Sequence, residues 1–482
     1  MNKQTAYKDE AQSVSSFSLE PIFQRQRSEF SRAPYASFEE RKERLQKLRK
    51  VMLKNKGALI KALDEDFGGR SAIETQVAEF VPVLETFNYT LKKLRKWMAP
   101  SKRHVSLILQ PASAKVMYQP LGVVGIVVPF NYPLMLSLSP LITALAAGNH
   151  VMLKMSEFTP ATSALFADMI AKEFPPELIT VVQGGPEIAS EFSKLPFDHL
   201  VFTGSTPVGR HVMRAAADNL TPVTLELGGK SPTIIDSDAD LKLAAERICF
   251  SKTMNAGQTC ISPDYVLVTN DRRDAFIQEY KSAFQSMYPT IENNENYTAI
   301  INERHHTRIT SLIDDAHAKG ANIIRADDGK FAGDGTRRIA PHLIVDATDD
   351  MEVMQEEIFG PLLPIIGVDS LDEAIQFVKD RPRPLSLYYF GLDKQKQQQV
   401  LEQTHSGGVS INECLLHIAV DDMPFGGIGP SGMGHYHGPE GFLTFSKAKS
   451  VLTKGRFNSA RLMQPPYTGW LKQSILKYLR IT

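Results

Sequence analysis

What the chain lacks narrows its chemistry before any motif is considered. Of 482 residues only three are cysteine: Cys249, Cys260 and Cys414. No CxxC pair and no accompanying histidine pattern occurs, so neither a disulfide framework nor a zinc site is indicated, and no metal is expected. Few cysteines suit a reducing compartment, and a cytoplasmic location is the expectation. Charge of one sign is also missing, since Lys plus Arg and Asp plus Glu each total 54. Without net charge no long-range field draws the chain to nucleic acid or to an anionic membrane, and a small-molecule ligand is expected. No apolar run reaches the ~20 residues of a membrane span, and the polar, Ser-rich first twenty residues lack the apolar heart of a signal peptide. They read as a flexible tail. Internal repeats and low-complexity linkers are absent too. At this length two or three folding units are expected.

What is there begins with helix. Between Phe38 and Phe67, Leu45, Leu48, Met52, Leu59 and Leu63 recur at helical spacing and predict one buried stripe, and another helix is expected over Ser71–Met98. Both read as scaffold. Residues 103–118, rich in Val, Leu and Ile and broken by Pro111, predict two strands joined by a turn. From Gly122 the texture changes to short β-branched runs, GVVGIVVPF, HVMLKM, ITVVQG, HLVFTG and VTLEL, separated by helix-like stretches around 137–147, 160–174, 186–194 and 206–219. That alternation predicts an α/β fold with a parallel sheet and crossover helices. Ligands of such sheets bind at the carboxyl ends of strands, which is where Asn131, Lys154, Gly204 and Glu226 fall. A second α/β pattern runs from Ser231 to about Cys414, with strands near 231–235, 264–269, 341–345 and 363–368.

The chemistry concentrates between Thr224 and Cys260. TLELGGKSP carries a carboxylate, Glu226, ahead of a glycine pair, and NAGQTCIS carries a lone thiol, Cys260, in a Gly-Gln-Thr-Cys turn. A thiol with a lowered pKa is a nucleophile, whereas burial in apolar surroundings raises the pKa. A carboxylate in a dry pocket can act as a general base. Together they suggest acyl transfer through a thioester. Cys249, within the helical run AAERICFSK, and Cys414 read as small buried apolar residues. FTGSTPVGR follows a strand and opens a helix, so Gly204, Ser205 and Gly209 stand where backbone N–H groups and a helix N-terminus could face a phosphate. Strand-turn-helix junctions need glycine in any case, and the spacing leaves both readings open. His435 and His437, in a Gly-rich loop at a spacing that holds no carboxylate between them, read as loop packing.

These residues resemble the aldehyde dehydrogenase superfamily. LELGGKSP and GQTC stand in its order and at about its separation, joined by PFNYP at 129–133, KMSE at 154–157, FTGS at 202–205, EEIFGP at 356–361 and MPFGGIG at 423–429. MPFGGIGPSGMGHYHG and GQTCISPDYV are similar to its class-3-like branch, whose bacterial members include enzymes acting on coniferyl aldehyde. The resemblance implies two Rossmann-like parallel α/β domains plus a β-hairpin oligomerisation element. The boundaries follow as a tail at 1–20, a NAD-binding domain from 21–102 and 119–227, a catalytic domain at 228–430, oligomerisation or bridging segments at 103–118 and 431–455, and a tail at 456–482. It implies NAD(P)-dependent oxidation of an aldehyde, aromatic or medium-chain aliphatic, to the acid. Cys260 is then the nucleophile, Glu226 the base, and the Asn131 amide with the Cys260 N–H the oxyanion donors. Lys154 and Glu157 correspond to positions that bond the adenosine ribose, and a carboxylate there favours NAD over NADP without excluding NADP. Glu357 grips the nicotinamide ribose and Phe359 lies beside the ring. Tyr132 and Phe425 line an apolar tunnel, and Phe130 stands where the family commonly has Trp. A homodimer is implied. Alternatives are transfer of the acyl group to CoA, against which Glu226 speaks, or a non-catalytic protein on the same fold.

In the tail, Leu471, Ile475, Leu476 and Leu479 share a helical face with Lys472, Lys477 and Arg480 elsewhere around it. A membrane contact is one reading; docking on the same subunit or a dimer mate is the favoured one.

Overall fold

In the computed structural model residues 18–106, 109–456 and 464–478 are described. Three sheets organise them. The first takes shape because its strands are mainly apolar: Val123–Val127 and His150–Lys154 are buried at every position, as strands covered by helices on both faces must be. Its order is 432–433, 223–227, 199–204, 123–127, 150–154, 179–182, parallel except for the first pair. The chain enters at Val123–Val127 in the interior, winds outward through 150–154 and 179–182, then returns to the other side at 199–204. The crevice between the ends of 123–127 and 199–204 is therefore the place where successive crossovers diverge, and a ligand fits there. Asn131 follows the first of those strand ends and Gly204 closes the second.

A second sheet has seven strands in the order 322–325, 342–345, 362–368, 265–269, 232–235, 386–390, 408–411, parallel apart from the antiparallel edge strand 322–325. Three of these, 322–325, 386–390 and 408–411, are additions to the four expected.

The smallest sheet corrects the expected hairpin. Its first strand, Ser101–Arg103, ends where the predicted one begins, and it pairs antiparallel with Ala112–Pro120. The other side of Ala112–Pro120 pairs along its full length with Ser446–Lys454, so the element has three strands. Alternating exposed lysines along 447–454 fit a solvated edge.

Among the helices, the stripe predicted from Phe38 splits at Asn55 into Phe38–Lys54 and Lys56–Phe67; Leu45, Leu48, Met52, Leu59 and Leu63 are all buried. Ser37 and Glu40 form a reciprocal capping box at its start. Residues 72–98 form a nearly continuous rod that passes through a π-helical turn at Gln76–Phe80. The helix Glu20–Arg32, begun at the border of the expected tail, buries Phe23 and Gln26 against the first sheet. At the other end, the Trp470–Tyr478 helix buries no residue: Trp470 is 78% and Tyr478 87% exposed. The expected docking of this stripe on its own subunit is thus not made among the described residues, and Leu479 lies outside them. No helix among the described residues is long and apolar enough to cross a membrane.

Candidate active site

The nucleophile loop is built by an unusual backbone. The helix Leu241–Thr253 ends, and Asn255, Ala256 and Gly257 follow at φ of 52°, 51° and 74°. Left-handed conformations cost residues with a Cβ about 1–2 kcal/mol each, so something must hold the turn. Glu74, from the long helical rod, accepts the Asn255 N–H at 3.0 Å. Asn255 Nδ2 donates to Asn131 O at 3.1 Å and to Gln258 O at 3.2 Å. Gln258 is a strut: its Nε2 donates to Asn255 O and Ala299 O, and its Oε1 accepts from Ile301 N. Gly257 is glycine for room as well as for φ, because a Cβ there would meet Gly360 O at 2.4 Å.

The same network reaches the candidate oxyanion donor. Asn131 is buried, and its Nδ2 donates to Gln258 O at 3.1 Å, leaving its second amide hydrogen for another acceptor. Its carbonyl accepts from Arg70 at 3.0 Å, and Arg70 is ion-paired with Glu79 at 3.1 Å, both side chains fully buried. Glu79 in turn accepts the N–H groups of Leu134 and Met135, the first turn of the helix that follows Asn131. Tyr132 lies under the loop with its ring beside Arg70 and its hydroxyl 2.8 Å from Thr259 Oγ1, the neighbour of Cys260. Phe425 packs with Ile261, Leu385 and Leu415, and with Met254, Cys260 and Ile418 at the margin of that cluster. Cys260 therefore sits at an apolar wall.

Electrostatics link the thiol to two carboxylates. The Cys260 thiol is pushed up, first by burial and then by the negative charge of Glu357 and Glu226, while the N–H groups of Cys260 and Ile261 pull it down. The thiol thus feels both acids, as a thiol-and-base site needs. Glu226 is buried, neither carboxylate oxygen has a partner, and burial holds it well above the usual carboxylate range. No ion pair fixes it. Cys249 and Cys414 are buried, and burial raises both thiols.

The glycine pair after Glu226 acquires a reason. A Cβ on Gly228 would lie 1.9 Å from Glu357 Oε2, so the bend exists to admit that carboxylate. Burial and Asp264 push Glu357 up to about 8, against the Gly229 N–H, Lys230 and Arg308. Lys230 holds the surrounding loop through Asp264, Val353 O and Glu356 O. Phe359, at φ 49°, meets Phe130 edge-on at 5.7 Å, and Phe130 also touches Phe158 and His305, so this aromatic group bridges the two large sheets. Lys154 is buried, donates to Met155 O at 2.8 Å and lies 3.8 Å from the part-exposed Glu157.

Residues at this end fit a dinucleotide. Glu357 Oε1 is buried without a partner, and the exposed Ser205 opens the helix Thr206–Ala217 without a side-chain cap, leaving N–H groups for an anion. Gly204 adjoins them, where a Cβ would strike the Phe202 ring at 2.6 Å. Gly209 donates its N–H to Ser205 O, and a Cβ there would meet Leu227 at 2.6 Å, so helix-to-strand packing asks for glycine at this position.

Arg70, Glu74, Glu79 and Gln258 were not anticipated as parts of the site. The first three lie in a region read as scaffold, and only Gln258, inside GQTC, carried a local signal. Lys252 was missed too; it is fully buried, its Nζ has no partner, and burial lowers it to about 8 with Asp264 and Glu357 opposing and Lys230 assisting.

Two wound parallel sheets whose strand ends meet around a thiol, a free buried acid and a dinucleotide cleft define a NAD(P)-dependent oxidoreductase. The Aldehyde dehydrogenase family profile matches residues 10–451, and the chain belongs to that family. It is 55% identical over 459 residues to the "Probable coniferyl aldehyde dehydrogenase" of Pseudomonas aeruginosa, covering 95% of this chain and 96% of that one. A solved structure described as the substrate-bound state of Staphylococcus aureus AldH superposes with a TM-score of 0.90 at 39% identity, covering 96% and 99% of the two chains. Mycobacterium tuberculosis aldehyde dehydrogenase complexed with NAD+ gives a TM-score of 0.82 at 29% identity, with 92% of each covered. The protein is an enzyme that oxidises an aldehyde to its carboxylic acid.

Proposed function

We propose that the substrate is an aromatic aldehyde of the coniferyl type, and that NAD is preferred over NADP. The observation that carries the substrate reading is the apolar wall of Ile261, Leu415 and Phe425 beside Cys260, with Tyr132 adjoining. The P. aeruginosa relative's printed name agrees with it. The NAD preference rests on Glu157, whose carboxylate accepts from a ribose 2′-hydroxyl and repels a 2′-phosphate.

In the proposed sequence the Cys260 thiol gives its proton to water, the thiolate Sγ attacks the carbonyl carbon, and the thiolate leaves again when the thioester opens. The Cys260 N–H and the second Asn131 amide hydrogen receive the oxyanion; losing one such donor typically costs about a hundredfold or more. A bound nicotinamide supplies the hydride acceptor. Glu226 then takes a proton from the water that opens the thioester, which its elevated pKa suits it to do near neutral pH. Glu357, over Gly228, and Phe359 would hold the nicotinamide and its ribose. Lys154, Glu157, Gly204 and Ser205 serve the adenosine and phosphate end. A free, buried base favours water over CoA as acyl acceptor.

The first sheet with residues 21–102 is assigned to cofactor binding and the second to catalysis. The three-stranded sheet is assigned to joining two copies into a dimer, to be checked by light scattering against the 53.6 kDa chain mass. The functional test is NAD(P)H formation from an aldehyde panel with each cofactor, with and without CoA. Coniferyl aldehyde with NAD should exceed acetaldehyde by at least about tenfold in kcat/KM. Equal rates, an NADP preference, or a CoA requirement would each refute the corresponding part, and undiminished turnover by Cys260→Ser would end the nucleophile assignment.

A further inference from the structure

Glu226 acquires a proton at every hydrolysis and must lose it before the next, yet both its oxygens are buried without a partner. One other orphan lies beside it. The segment 432–433 pairs antiparallel with the strand that carries Glu226, Gly432 opposite Glu226 itself, and the chain continues into Gly434 and His435. A Cβ built on Gly426 would meet Gly434 O at 2.1 Å, His435 Nδ1 at 2.8 Å and Glu226 Oε1 at 3.3 Å. Carbonyl, imidazole and carboxylate thus converge over a residue with no side chain. His435 Nδ1 is buried and, like Glu226, bonded to nothing, while the ring as a whole is only half-buried. One water between two such atoms would satisfy both.

We propose that His435 is the positioning residue through which Glu226 returns its proton to solvent after each thioester hydrolysis, by way of one bridging water. The proton leaves Glu226 for the water, a water proton passes to His435 Nδ1, and the imidazole releases a proton from its outer nitrogen. The net change is one proton delivered to solvent, with no other reactant. The inference rests on Glu226 being the base. Other titratable groups face the pair. Cys260 comes from the nucleophile loop, Tyr436 senses both Glu226 and Cys260, Glu357 lies over Gly228, and His437 senses His435 and His417. Tyr436 and His437 are buried; Cys260 and Glu357 are half-buried like His435, but only the imidazole has a second ring nitrogen that can release a proton while the first accepts one.

The test compares wild type, Glu226→Gln, His435→Gln and His435→Ala by stopped-flow, intact-mass spectrometry and steady-state rates from pH 6 to 10. For His435→Gln we expect a first turnover at the wild-type rate, accumulation of acyl-enzyme by mass, and a steady-state rate lowered at least about tenfold at pH 7. The deficit should shrink as pH rises, because hydroxide can take the proton directly, and imidazole should restore turnover to His435→Ala. A purely structural role would slow the first turnover, hold the deficit constant with pH and resist imidazole; that pattern, or a steady-state rate within about twofold of wild type, overturns the proposal. If Glu226→Gln stalls as acyl-enzyme while His435→Gln does not, the base assignment stands and this inference alone fails. If Glu226→Gln turns over normally, the base assignment fails and takes this inference with it.

Discussion

Cys260 rests as a thiol because burial and two carboxylates oppose its ionisation more than two backbone N–H groups favour it. Its thiolate fraction should therefore climb about tenfold per pH unit. Iodoacetamide labelling of the free enzyme, followed by peptide mass spectrometry, should rise to that extent between about pH 7 and 9, with Cys249 and Cys414 protected; a plateau beginning below pH 7 would contradict the electrostatic picture. Acid acts on different residues. Burial lowers His199 and His437 from 6.5 to about 4. Between those values the unfolded chain binds more protons than the folded one, so their contribution is intact above about pH 6.5 and is lost as pH falls toward 4. Each should remove up to about 1.4 kcal/mol per pH unit in that window. Urea midpoints measured at pH 7 and 5 should separate, and His199→Phe should narrow the gap. At this scale the sequence singles out Glu226, Cys260 and Glu357 because chemistry and motif coincide there. It was silent on Arg70 and Glu79, whose importance comes from a carbonyl and a helix start about sixty residues away.

Elements were readable in proportion to how far one environment covered a whole run. The five parallel strands of the first sheet are short apolar blocks with helices between them, and local pattern suffices to find them. Asn322–Arg325 is a half-exposed edge and Gly408–Ile411 is four residues opened by glycine, so neither announces itself. Ser446–Lys454 alternates lysine with small residues and pairs with a strand more than three hundred residues earlier, a partnership that no local window contains. The left-handed turn 255–257 was equally invisible, because Asn255 and Ala256 adopt it under tertiary constraint. Gly257→Ala tests that constraint: the added methyl meets Gly360 O at 2.4 Å in a φ that L residues rarely take. We expect a stability loss of about 3 kcal/mol and a fall in kcat of at least about a hundredfold. Gly57→Ala, with nothing within 4 Å of the new carbon and a helical backbone, serves as control and should be neutral or stabilising by about 0.5–1 kcal/mol. Thermal and urea unfolding decide both.

For the whole molecule, the cleft belongs to neither large sheet alone: Asn131 and Glu226 come from one, and Cys260 and Glu357 from the loops of the other. The C-terminal segment stands apart from this arrangement. Because the helix 470–478 buries nothing of its own, removing residues after Gly455 should shift the thermal midpoint of the monomeric protein by less than about 1 °C. A larger drop in dilute protein would mean that the segment packs on its own subunit; a drop that appears only at concentrations where dimers form would mean that it packs across the interface.

The bend at Gly228–Gly229 has a hereditary side. At Gly228 a hydrogen stands where any other residue would place carbon against Glu357, two residues after the acid that opens the thioester. Cofactor handling and hydrolysis are thus coupled across two residues of one strand end, and a lineage drifting at Gly228 would disturb both traits at once. Descendants that abandon one of them would be expected to show change at this bend first.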